Sequence, residues 1–252
     1  YRTRHAQYKT DPDLQAAHAR APFICVWDDH EVANDTWMTG AENHQSATEG
    51  DFAARKASAL RAYYEWMPIR EPKAGALKEA INRSFDFGDL ATLTMVETRL
   101  LARGEQMTFA DIPKTPDGQP DVAAFEAARQ APDRDLLGDA QRRWVGETLS
   151  RSKAAGRPWQ IIGNQVVMAR VKGPDISRMM PAEQVQQMIA SLPADVRPQV
   201  EAAIQLFKLG LPFNLDSWDG YPAGRERLYE TFAAAGVSPV VLAGDSHAFW
   251  VN

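Results

Sequence analysis

Apolar positions along this chain follow two rhythms. In "DFAARKASALRAYYEW", residues 51–66, Phe52, Ala59, Leu60, Tyr63 and Tyr64 return at helical spacing, which predicts an amphipathic helix with those five facing a core. Thr10-Asp11-Pro12 reads as a helix start, with Leu14, Ala17 and Ala21 along one side. Elsewhere the runs are short and β-rich. Residues 23–27 ("FICVW") read as a buried strand, and "RSFDFGDLATLTMVETR" reads as two strands joined at Gly88-Asp89. The Pro, Gly, Asp and Thr content of residues 108–119 marks a loop.

Two later units share one grammar. Asp139 caps a predicted helix over residues 139–155, Gly156 stops it, and "RPWQIIGNQVVM" begins a strand. A helix over residues 223–235 ends at Gly236, and "SPVVLAGDSH" begins another strand. Helices alternating with apolar strands predict an α/β fold, organised as a single domain over residues 1–252. The stretch 173–220, rich in Met and Pro, reads as an insertion or lid, with Met179, Met180 and Met188 as packing residues within it.

Composition narrows the function classes. The net charge of −5 and the lack of a Lys/Arg stripe argue against a nucleic-acid platform. No run of 18 apolar residues is present, so no membrane-spanning helix is expected. Cys25 is the single cysteine, which rules out an internal disulfide and a cysteine-based zinc cluster; its apolar neighbours suggest a buried, inert thiol. Neither a signal peptide nor a start methionine opens the given sequence, so any targeting segment is expected to lie outside it.

The chemistry-bearing residues stand where the apolar runs end. Asp28-Asp29-His30-Glu31 follows "FICVW", Glu97 and Arg99 follow "TMV", Asn164 and Gln165 follow "IIG", and Asp245-Ser246-His247 follows "VVLAG". In α/β sheets functional groups gather beyond the carboxyl ends of strands. Carboxylates brought together there repel one another unless protonated or neutralised, and a cation is the simplest neutralisation. Mixed oxygen and imidazole donors suit Ca, Mn, Fe or Zn. His30-Glu31-Val32-Ala33-Asn34 lacks the second histidine of a zinc-protease motif. His5, His18 and His44 have no such company and read as surface residues.

"YRTRHAQYKTDPDLQAAHARAPFICVWDDHEVANDTW", "VETRLLARGEQM", "IIGNQVVM", "NLDSWDGYPAGRERL" and "LAGDSHAFW", in that order, resemble the PhoD family of alkaline phosphatases and phosphodiesterases, within the calcineurin-like metallophosphoesterase superfamily. The resemblance implies a β-sandwich core flanked by helices, incomplete in this chain. By the same match Asp29, Asp245 and His247 are metal ligands, Asn34 faces calcium, and Asp28 is a ligand or lies just behind the ligands. His30, with Asp28 beside it, is the catalytic group that touches the phosphate and protonates the leaving oxygen. Arg99 holds a phosphate oxygen or a carboxylate, with Glu97 where the family usually has Asp. Asn164 or Gln165 stands where the superfamily often has a further metal-binding histidine. Asp216, Trp218 and Tyr221 would wall the substrate pocket, a packed loop being the equal alternative.

The implied cofactors are two or more metal ions, iron and calcium foremost, with Mn or Zn as alternatives. The implied substrate is a small phosphate ester, and the implied location is periplasmic or secreted. The family's earlier ligand blocks are missing from this sequence, so it is expected to be a fragment with one half of a two-ion site. A non-catalytic metal- or phosphate-binding fragment and a related phospholipase-type phosphodiesterase are the competing readings.

Overall fold

The computed structural model describes residues 1–246. Among them, one four-stranded mixed sheet has the order β1-β2-β3-β4, with β1 Arg83–Phe87, β2 Ala91–Met95, β3 Trp159–Asn164 and β4 Val240–Ala243. The β1–β2 hairpin is antiparallel, with Phe87 opposite Ala91, and turns at Gly88, whose φ of 54° suits a residue without a side chain. β2, β3 and β4 run parallel, Met95 opposite Gly163 and Asn164 opposite Ala243, so their carboxyl ends share one rim.

The four helices expected from their caps and spacing all form, and others add to them. α1 spans Arg2–Lys9, α2 Pro12–Arg20 and α3 Ser46–Glu49. α4 spans Phe52–Trp66, opened by Asp51, whose carboxylate accepts from Ala54 N. All five predicted core positions of α4 are buried; they pack with Trp27, Val32, Ile81 and Leu100. α2 is capped by Asp11 and buries none of its residues fully; of the expected apolar side Leu14 is half-buried, while Ala17 and Ala21 are exposed.

α5 is Val122–Arg129 and α6 is Gly138–Ala154. Asp139 is not the cap of α6; it lies in the first turn and pairs with Arg142, where its charge still complements the helix N-terminus. α7 is Ala182–Ser191, α8 is Arg197–Lys208 and α9 is Pro222–Ala235, ending at left-handed Gly236. α6 and α9 pack on one face of the sheet through Val145, Leu149, Ile162, Leu228 and Phe232. α7 and α8 belong to the stretch expected as an insertion, and its two ends meet: Lys172 bridges Pro212, and Phe213 N donates to Val171 O at 2.8 Å.

Four further expectations need correction. Residues 23–27 form no strand: no backbone ladder reaches them, the Cys25 carbonyl is taken by the Arg83 guanidinium, and Trp27 is fixed by its indole. A short apolar run specifies burial rather than pairing. β4 is not buried between helices; as an edge strand it leaves Val240 and Leu242 42% and 55% exposed. His44 is a buried side chain rather than a surface one, bonded to Gly50 O at 3.0 Å and set edge-on to Phe52. Met179 is exposed, not packed.

Candidate metal centre

Because β2, β3 and β4 are parallel, Glu97 and Arg99, Asn164 and Gln165, and Asp245 emerge at one rim. Asp28 and Asp29 join them from the segment after Trp27. That segment is anchored across the sheet by Trp27 Nε1, which donates to Glu97 Oε1 at 2.9 Å. One carboxylate oxygen from each of Asp28, Asp29 and Asp245 lies within 4.8 Å of the other two. His247, the remaining expected ligand, lies outside the described residues.

Each aspartate is set differently. Asp29 is 3% exposed, and it turns the chain: Oδ1 accepts from His30 N and Oδ2 from Asp35 N, each at 2.7 Å. Each oxygen keeps a second lone pair. Asp35 completes this tight turn with a φ of 49°. Asp28 meets Arg99 Nε through Oδ1 at 2.5 Å, and its backbone N–H is held by Glu31. Burial pushes the Asp28 carboxyl up to about 7, with Asp245 and Asp29 adding to the rise and Arg99 opposing it. Asp245 adopts a φ of 60° and accepts from Arg99 Nη2 at 3.3 Å.

The donor set fits a hard cation. Three carboxylates converge, and burial together with the charges of Asp245 and Asp29 resists the ionisation of Asp28. Arg99 is wholly buried and spends its fork on carboxylates. Nη1 and Nη2 grip Asp216 Oδ1 and Oδ2 at 2.7 and 2.8 Å, while Nε and Nη2 reach Asp28 and Asp245. Of the two partners expected for Arg99, the structure places carboxylates around it.

His30 stands at the edge of the cluster with its side chain 63% exposed, Nε2 3.6 Å from Asp29 Oδ2. Nε2 donates to Asn34 Oδ1 at 2.8 Å, and Asn34 Nδ2 donates to Glu42 at 2.5 Å. The Asn34 bond raises the imidazole pKa, as do the charges of Asp29, Asp245 and Asp28, against the effect of burial. Asn34 therefore orients His30, with its carboxamide engaged at both ends.

The remaining candidates divide. Gln165 Oε1 accepts from Thr98 at 2.8 Å, whereas its buried Nε2 has no partner among the described residues. Asn164 is committed inward, with Nδ2 on Val166 O and Oδ1 accepting from Trp218. Trp218 and Tyr221 do not wall a pocket. Both are wholly buried in the α6–α9 core, where Tyr221 OH bonds Gly104 O at 2.7 Å and its ring lies under Arg103 and Arg134. The aromatic content of "DSWDGY" reports packing, not substrate contact.

Sequence reasoning missed the supports. Arg103 is wholly buried and bonds both the carboxylate and the carbonyl of Asp216. Gln141, from α6, clasps the Glu97 backbone, its Oε1 accepting from Glu97 N and its Nε2 donating to Glu97 O, both at 2.7 Å. The repeated basic spacing in "VETRLLAR" was the available signal for Arg103. A glutamine within an amphipathic helix offers none.

Fold and site together define an α/β protein with a candidate oxygen-donor cation centre at the rim where its parallel strands end. The sequence profile of the family described as "PhoD-like phosphatase" matches residues 1–252, and the chain belongs to that family. Alkaline phosphatase D of Bacillus subtilis (strain 168) is 31% identical over 255 residues, covering 100% of this chain and 35% of that protein. A solved structure titled "Structure of PhoD" matches with a TM-score of 0.68 at 30% identity, covering 97% of this chain and 38% of that one. The chain thus spans little more than a third of the length of the relatives it matches. No helix among the described residues is long and apolar enough to cross a membrane.

Proposed function

We propose that this chain carries the strand-tip part of a metal-dependent phosphoesterase centre, acting on small phosphate esters. The observation that supports it most is the convergence of Asp28, Asp29 and Asp245 within 4.8 Å, with His30 alongside. Asp28, Asp29, Asp245 and His247 would hold the ions, with iron and calcium as the expected pair by family, and Mn or Zn as alternatives. A bound divalent or trivalent ion supplies Lewis acidity and an activated water.

The chain's own groups do the rest. His30, held by Asn34, gives a proton to the departing alkoxide, a contribution worth about 10²–10⁴-fold. Gln165 Nε2, buried and without a partner among the described residues, is suited to donate to a phosphoryl oxygen. The described sheet would form one layer of the family's β-sandwich, with residues 173–220 as a lid and a secreted or periplasmic setting.

The test is hydrolysis of p-nitrophenyl phosphate and bis-p-nitrophenyl phosphate with added Ca, Mn, Zn or Fe, in the wild-type chain and His30→Ala. Turnover lost in the variant at unchanged metal affinity supports the proposal. Metal binding with no turnover in either protein would replace it with the non-catalytic reading.

A further inference from the structure

We infer that Asp216 is a positioning residue for the metal ligands, acting on the carboxylate cluster through Arg99 without touching it. This rests on the cation centre proposed above and adds a residue and a direction of effect to it. The geometry is that of a fork gripped at one edge. Asp216 takes Nη1 and Nη2 of Arg99 in a two-point contact at 2.7 and 2.8 Å, which fixes the plane of the guanidinium. With the plane fixed, Nε points at Asp28 Oδ1 and Nη2 at Asp245 Oδ2. One rigid cation thereby sets the separation of two ligands that come from opposite ends of the sequence.

Asp216 is itself held firmly. Its backbone N–H donates to Asn214 Oδ1 at 2.7 Å, and Arg103 bonds its carbonyl and its Oδ1. Arg103 in turn lies 5.1 Å from the centre of the Tyr221 ring. The line Tyr221, Arg103, Asp216, Arg99 therefore runs from the core to the cluster, and every side chain in it is buried. Removing the Asp216 charge acts twice in one direction. Arg99 loses its orientation, so Asp28 and Asp245 lose their spacing, and two buried guanidiniums near the site lose their counter-charge, which repels an incoming cation. Groups that orient metal ligands from behind typically alter affinity by about 10–100-fold.

The experiment is calorimetric titration of Ca²⁺ and Mn²⁺ into the metal-stripped chain, for wild type, Asp216→Asn and Asp216→Glu, with melting in EDTA as the control on folding. Asp216→Glu keeps the charge and displaces the carboxylate by one methylene, so it reports geometry even where Asp216→Asn fails to fold. The expected result is at least a tenfold loss of affinity in Asp216→Glu and a larger loss in any folded Asp216→Asn. Wild-type affinity in a folded variant, whatever its melting temperature, overturns the inference and leaves Asp216 a purely structural residue. Failure of the wild-type chain to bind either ion overturns the cation centre itself, and with it the proposed function.

Discussion

Glu97 offers the sharpest test of how the rim is built. It is wholly buried, yet its carboxylate receives four N–H donors. Oε1 accepts from Trp27 Nε1, Arg99 N and Leu100 N at 2.9, 2.9 and 2.8 Å, and Oε2 accepts from Leu101 N at 2.8 Å. Glu97→Ala strands all four donors, three of them in fully buried bonds and that of Leu101 in a part-buried one. At about 1–3 kcal/mol for each buried group left unsatisfied, even the low end gives a loss of about 4 kcal/mol. Water entering the vacated space recovers part of any larger figure, so about 3–5 kcal/mol is expected.

Glu97→Gln separates geometry from charge. With its carbonyl in the Oε1 place it keeps three acceptances and turns an N–H₂ towards Leu101 N, a loss of about 1–2 kcal/mol. Urea unfolding followed by tryptophan fluorescence reads both. With a slope of about 3 kcal/mol per molar, Glu97→Ala should lower the midpoint by about 1–1.7 M and Glu97→Gln by less than about 0.7 M. Equal midpoints for the two variants, or an alanine variant within about 0.3 M of wild type at unchanged slope, would refute the claim that these donors depend on the carboxylate.

Other expectations follow from single contacts. Gly220→Ala should destabilise by about 2–4 kcal/mol, since a Cβ there would sit 1.9 Å from the Leu215 carbonyl oxygen, and thermal melting reads it. Gly173→Ala drives a Cβ to 1.9 Å from the Phe207 ring and should loosen α8 from the neck of the 173–210 stretch, seen as faster proteolysis within that stretch. Acid should weaken the Arg99–Asp216–Arg103 cluster. Burial raises the Asp216 pKa, but Arg103 and Arg99 outweigh it and hold the carboxyl below its ordinary value. Its stabilising share is complete above the unfolded value of about 3.9 and lost as pH falls through the lower folded value, so the acid unfolding of Asp216→Asn should be flatter below about pH 4. Saturating Ca²⁺ at about 100 times its Kd should stabilise the chain by about 2.7 kcal/mol, and EDTA should abolish the gain.

How much of this was legible in the sequence depends on whether a residue's local neighbours or its distant ones decide its role. α4 was readable because Asp51, the helical spacing of Phe52, Ala59, Leu60, Tyr63 and Tyr64, and their burial all agree within sixteen residues. The β1–β2 hairpin was readable for the same reason, through Gly88. Residues 23–27 were misread because strand and buried coil share one pattern, and only the non-local partners Arg83 and Glu97 separate them.

All three aspartates of the cluster stand where apolar runs end, but parallel pairing carries only Asp245 to the rim, whereas Asp28 and Asp29 arrive from a coil that Trp27 ties to Glu97. What holds the cluster was not visible. Asp216 stands 117 residues from Arg99 and Gln141 stands 44 from Glu97, and nothing in either residue's surroundings announces the pairing. The candidate ligands are thus written locally, where apolar runs end, whereas the buried Arg–Asp contacts inferred to set their spacing exist only once the sheet has formed. A substitution at Asp216 should consequently change metal affinity with all three carboxylates that converge at the rim still in the sequence.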